Sequence, residues 1–181
     1  MKKIIIAQFL ISTLFLSKII AQTTDQNSKK EIGMRMSGLS DFDFIYKKQK
    51  AENQYTRLRL ISTAFSISDF ENFNSSLSLG LTYGREKRKS LNNNFQFING
   101  WEFIGSLNSS INNDDLTFSF SPGVGVVLGF QYEISEKFIV NIETIPSLTT
   151  NILYSSDHIK ISNLNLEFNT NSIALGLMYR F

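Results

Sequence analysis

From Ile173 to Phe181 the chain reads I-A-L-G-L-M-Y-R-F. Ile173, Leu175, Leu177, Tyr179 and Phe181 are large and apolar, and Ala174, Gly176 and Arg180 stand between them, with Met178 the exception. A period of two is the mark of a strand with one oily face. The same pattern recurs upstream between stretches rich in Asn, Asp, Ser and Lys. It predicts eight strands: 31–38, 41–48, 54–68, 76–85, 95–107, 116–132, 138–148 and a last one ending at Phe181. In the fourth, Leu77, Leu79, Leu81 and Tyr83 oppose Ser78, Gly80, Thr82 and Gly84. In the sixth, Val124, Val126 and Leu128 oppose Gly123, Gly125 and Gly129. In the third, Arg57 and Arg59 alternate with Leu58 and Leu60, and the parity then blurs, which predicts a bulge. Tight turns are expected at 49–53 and 133–136. A charged turn, containing Arg85-Glu86-Lys87-Arg88-Lys89, is expected to run through Asn94, and loops at 69–75, 108–115 and 149–163.

The composition of the two faces sets the fold class. A soluble sandwich or barrel turns its oily face inward and covers the other with Lys, Glu and Thr. Here the second face is mostly Gly, Ser, Asn and Ala with few charges. Glycine is a poor strand former, and its repetition on one face suits a crowded interior. An eight-stranded barrel has an interior only wide enough for side chains. The oily face then meets lipid, and closure is required because lipid satisfies no open sheet edge. The fold class expected is all-β: a closed, eight-stranded, antiparallel, up-and-down transmembrane barrel. Tyr179 and Phe181 resemble the C-terminal insertion signal of bacterial outer-membrane barrels, which ends in Phe with an aromatic or apolar residue two before it. From residue 31 onward the chain resembles the small OmpA/OmpX-type barrels, in the version common among Bacteroidetes outer-membrane β-barrel proteins. No peptidoglycan-binding domain like that of the longer OmpA-type proteins is expected. The resemblance implies short periplasmic turns, longer outer loops and aromatic girdles.

The N-terminal end agrees with export. Lys2 and Lys3 precede an uncharged apolar run from Ile4 to Leu16, and Ala21 offers a small residue before a cut at Gln22. The run is shorter than the ~20 residues a spanning helix needs. The expected organisation is a signal peptide over 1–21, a polar lead-in over 22–30 and one barrel domain over 31–181, located in the outer membrane. There is no Cys, so disulfides, thiolate metal sites and a Cys nucleophile are excluded. A formal charge of +2 gives no nucleic-acid footprint. The expected partners are outer-membrane lipids and the barrel-insertion machinery, which would read the last strand, and the expected state is a monomer. No cofactor, metal or catalytic residue is assigned.

Little else carries chemistry. Arg35, Arg57, Arg59, Glu102, Glu143 and Arg180 are expected to face the lumen. Unpaired charges there would be costly, so an internal ion-pair network is favoured over a selectivity ring in a narrow pore. Leu77, Leu79, Leu81, Val124, Val126, Leu128, Ile173, Leu175 and Leu177 are expected to face lipid. His158, the only histidine, lies in S-S-D-H-I-K-I-S near Ser155, Ser156 and Ser162. A base beside a serine is the requirement for a rim-located, lipid A-modifying hydrolase or acyltransferase. Such a reading stands third, behind a structural or interaction barrel and a pore for ions or very small solutes.

Overall fold

The computed structural model describes residues 28–38, 41–68, 74–112, 115–155, 158–167 and 173–181. The expected signal peptide lies outside them. Among the described residues ten strands are formed: β1 (Lys30–Met36), β2 (Phe42–Ala51), β3 (Gln54–Ser68), β4 (Asn74–Ser90), β5 (Phe95–Asn112), β6 (Asp115–Glu133), β7 (Phe138–Thr144), β8 (Ser147–Ser155), β9 (His158–Glu167) and β10 (Ala174–Arg180). From β1 to β7 each strand pairs antiparallel with the next; β7 then pairs with β10, and β10 with β1. These eight strands form a closed barrel. Residues 31–48 are two strands, paired from Lys30↔Lys48 to Met36↔Phe42.

The two further strands arise because β6 is longer than β7. Its C-terminal part pairs with β7, from Leu128↔Thr144 to Glu133↔Ile139, and its N-terminal part with β8, from Phe118↔Tyr154 to Gly125↔Ser147. The switch falls at Ile145 and Pro146, where proline has no N–H to give a ladder. The wall stays joined because the Val126 N–H donates to the Pro146 carbonyl at 2.9 Å. β8 then pairs with β9 in a hairpin beyond the ring. The expected loop over 149–163 is therefore corrected: Leu148, Ile152 and Tyr154 keep the two-residue period within a polar stretch, and the backbone continues as sheet. The connection at 108–115 is shorter than expected for the same reason, with β5 reaching Asn112 and β6 starting at Asp115.

The larger correction concerns β4. Its ladder with β5 does not stop at Arg85 but runs to Ser90↔Gln96, and the turn is confined to 91–94. The five charged residues expected in a turn are strand residues. Asn92 Oδ1 accepts from the N–H groups of Asn94 and Phe95, which closes this turn. The β2–β3 turn places Asn53 at φ 59°, a left-handed conformation that Asn tolerates. The bulge expected in the third segment is present as a register shift between Leu60 and Ser62.

Burial is inside-out relative to a soluble sheet. Ile32, Phe44, Tyr83, Phe103, Val126, Ile142 and Leu177 are all outward and exposed. The charged residues Glu31, Lys47, Arg57, Glu86 and Glu102 are buried. Among the described residues, the buried apolar side chains form two clusters, Ile45–Ile139–Met178 and Ile98–Val127–Ile145. Gly84 shows why glycine lines this interior. A Cβ there would stand 2.7 Å from the Cβ of Glu102, its partner across the ladder, so only glycine leaves room for that carboxylate's stem.

Candidate functional site

Strand alternation carries side chains of one parity inward, so a charge at an odd position of β1, β2, β3 or β7 is delivered to the lumen. Arg57 is the hub and is 1% exposed. Its guanidinium lies 3.1 Å from Glu86, 2.7 Å from Glu143 and 3.3 Å from Glu102. Lys47, fully buried, bridges Glu86 at 2.9 Å and Glu143 at 3.1 Å. Arg88 takes Glu31 bidentately at 2.9 and 2.7 Å and also reaches Glu86 at 2.7 Å. A fork of this kind fixes direction as well as charge. Arg88 also lies over the Tyr55 ring, 3.6 Å from its centroid. Towards the short-turn end Arg180 joins Glu31 at 3.0 Å and Glu133 at 2.7 Å. In the other direction Arg59 pairs with Glu102 and Asp43, and Arg35 pairs with Asp43 at 2.9 Å.

The result is one connected network. Its cations are Arg35, Lys47, Arg57, Arg59, Arg88 and Arg180; its anions are Glu31, Asp43, Glu86, Glu102, Glu133 and Glu143. Six positive and six negative groups give a formal sum of zero. Each of the eight ring strands supplies at least one member. Neutral groups extend it: Asn141 donates to Glu143, Gln131 donates to Gln96, and Gln96 donates to Glu133. Every carboxylate but Glu133 contacts two or three cations. Groups so committed hold structure; they do not stand ready as acid or base. The charges described in the ring interior are thus compensated and cross-braced.

The structure brings together all six of the lumen charges expected from sequence. The six others were missed, although the signal was present. Glu31, Asp43 and Lys47 stand next to the outward Ile32, Phe42, Phe44 and Tyr46, on the inward parity, and Glu86 and Arg88 continue the parity of Gly84. Assigning 85–89 to a turn removed that last inference, and ending a strand at residue 132 removed Glu133. The nine residues expected to face lipid all point outward and are exposed. Tyr179 and Phe181 also point outward, and Phe138 packs edge-on against Tyr179 with centroids 5.4 Å apart. Ser155 and His158 face each other across the β8–β9 tip in the backbone ladder, while Ser156 and the side chains around His158 lie outside the described residues.

No protein-family model and no curated protein matches the sequence. Among solved structures the chain is similar to Neisserial surface protein A, at 11% identity over 84% of this chain and 90% of that one, with a TM-score of 0.38. It is similar to Ail, the attachment invasion locus protein of Yersinia pestis, at 10% identity over 85% and 97%, with a TM-score of 0.40. It is also similar to CarO of Acinetobacter baumannii, at 11% identity over 84% and 95%, with a TM-score of 0.37. Likeness of this degree carries no functional argument, which rests on the chain's own geometry.

Proposed function

We propose that the chain is an integral outer-membrane barrel whose lumen is sealed, and that it serves a structural or interaction role through its wall and outer hairpin rather than as a conduit. One observation carries this reading: the burial of the ring is inverted. Twelve charged side chains meet inside, while aliphatic and aromatic side chains cover the outside. Water would not stabilise such an exterior, since exposed contiguous apolar surface on that scale marks a membrane or a partner. Lipid stabilises it directly, and a closed ring leaves no unpaired edge in the hydrocarbon. Outer-membrane lipids are then its surroundings, and the outward aromatics Tyr179 and Phe181 belong to the interfacial girdle. The barrel-insertion machinery is the partner expected to receive β10.

Against a pore stands the compensation of the network. A selectivity ring presents one sign of charge to a water-filled path; here cations and carboxylates alternate in direct contact. The test is refolding into lipid vesicles followed by planar-bilayer recording. A heat-modifiable, protease-resistant folded form without steady conductance is expected. Stable ohmic steps from the folded protein would establish the pore instead.

A further inference from the structure

The run Arg85-Glu86-Lys87-Arg88-Lys89 divides by parity. Glu86 and Arg88 turn into the lumen network; Arg85, Lys87 and Lys89 stand exposed on the outer face of β4. They continue the outward line of Leu77, Leu79, Leu81 and Tyr83, so one face of one strand passes from apolar to basic. Lys48 of β2 faces the same way two strands over, since Thr56 of β3 pairs with both Lys48 and Arg85. Successive strands are ~4.8 Å apart and alternate residues of one strand ~6.8 Å apart, so these cations lie within reach of one headgroup. None of the four has a carboxylate partner among the described residues, and no acidic side chain described on β1 to β5 points outward. Across the next ladder Arg85 faces Trp101, and Trp101 faces Val126. Trp101 also lines an apolar notch of about 280 Å³ with Val124, Val126, Pro146 and Leu148, where β6 changes partner from β7 to β8. Outward cations therefore adjoin an apolar recess through a single tryptophan.

We propose that this surface is a site for an anionic glycerophospholipid: the phosphate sits on Arg85, Lys87, Lys89 and Lys48, and one acyl chain runs past Trp101 into the notch. It rests on the membrane reading above. The chemistry is charge complementarity. Cations at a membrane interface attract acidic headgroups, and among the described residues no carboxylate pairs with these four. The aromatic ring at the junction has the apolar body and polar edge suited to that depth.

Trp101 is the only tryptophan, so its fluorescence reports this place alone. The protein is refolded into phosphatidylcholine vesicles containing a minor fraction of lipid brominated near the headgroup, either phosphatidylglycerol or phosphatidylcholine at equal mole fraction. Local enrichment of the anionic lipid of about fivefold is expected, read as stronger quenching by its brominated form. The triple variant Arg85→Gln, Lys87→Gln, Lys89→Gln should bring the two lipids to equal quenching, and added salt should do the same to the wild type. Equal quenching in the salt-free wild type overturns the lipid site and leaves the membrane reading standing. So does a preference that survives the variant. Should the variant fail to fold, a wild-type preference unchanged by salt overturns the site equally. Absence of quenching by either lipid removes the membrane reading itself, and the site with it.

Discussion

Arg88 and Lys87 are adjacent in sequence and carry the same charge, yet they live in opposite surroundings. Arg88 is buried, forked onto Glu31, joined to Glu86 and laid over Tyr55. Lys87 is exposed on the outer wall, and no ion pair joins it to a carboxylate among the described residues. The difference teaches that charge in this chain has two uses, separated by a single residue of strand parity. Inside, each charge is held by several partners, and the network is only as sound as its compensation. Outside, a charge contributes little to folding and is available to something beyond the chain. That contrast can be broken from either side.

The largest effect is expected at the hub. Arg57→Met leaves Glu86, Glu102 and Glu143 one cation short in a buried site, a loss of about 3–5 kcal/mol. The urea midpoint for loss of the folded, heat-modifiable band should fall accordingly, whereas an unchanged midpoint would mean that the interior is wet. Val126→Arg puts the same kind of charge on the wall among apolar neighbours and should cost about 2–4 kcal/mol in lipid vesicles. A cost near zero would mean that this wall faces water. Gly84→Ala tests the space that the network occupies: the added methyl meets Glu102 and the Trp101 carbonyl. Its cost should be about 1–3 kcal/mol by the same unfolding measurement. Lys87→Gln should be smallest, within about 0.5 kcal/mol, because that side chain is exposed and has no ion pair among the described residues. A cost as large as that of Arg57→Met would erase the distinction between the two faces.

Much of this was legible from the two-residue period, because a strand's parity is fixed by the backbone and not by its neighbours. The ring, the inward placement of Arg35, Arg57, Arg59, Glu102, Glu143 and Arg180, and the outward placement of residues such as Leu79 and Val126 all follow from it. The extent of strands was less legible. A run such as Arg85-Glu86-Lys87-Arg88-Lys89 has no hydrophobic contrast between its two faces, so pattern alone could not separate strand from turn. What decides is Glu31 on a distant part of the chain, which meets Arg88 only after the ring closes. The β8–β9 hairpin was lost for a related reason: its polar residues weaken the period, and its place is set by the free upper half of β6. Pro146, where the wall divides, marks the switch in the sequence, but which strand takes over depends on the length of β6.

The central claim is that the exterior of the ring lies in lipid while its charges close the interior. Because the chain has no cysteine, single spin labels can be placed at Val126 and Leu177, which point outward from β6 and β10. In refolded proteoliposomes the measurement is collision of each label with oxygen, which concentrates in the bilayer, against a nickel chelate, which stays in water. The account predicts that oxygen dominates at both positions. Dominance of the nickel chelate at both would place the apolar wall in water and contradict it.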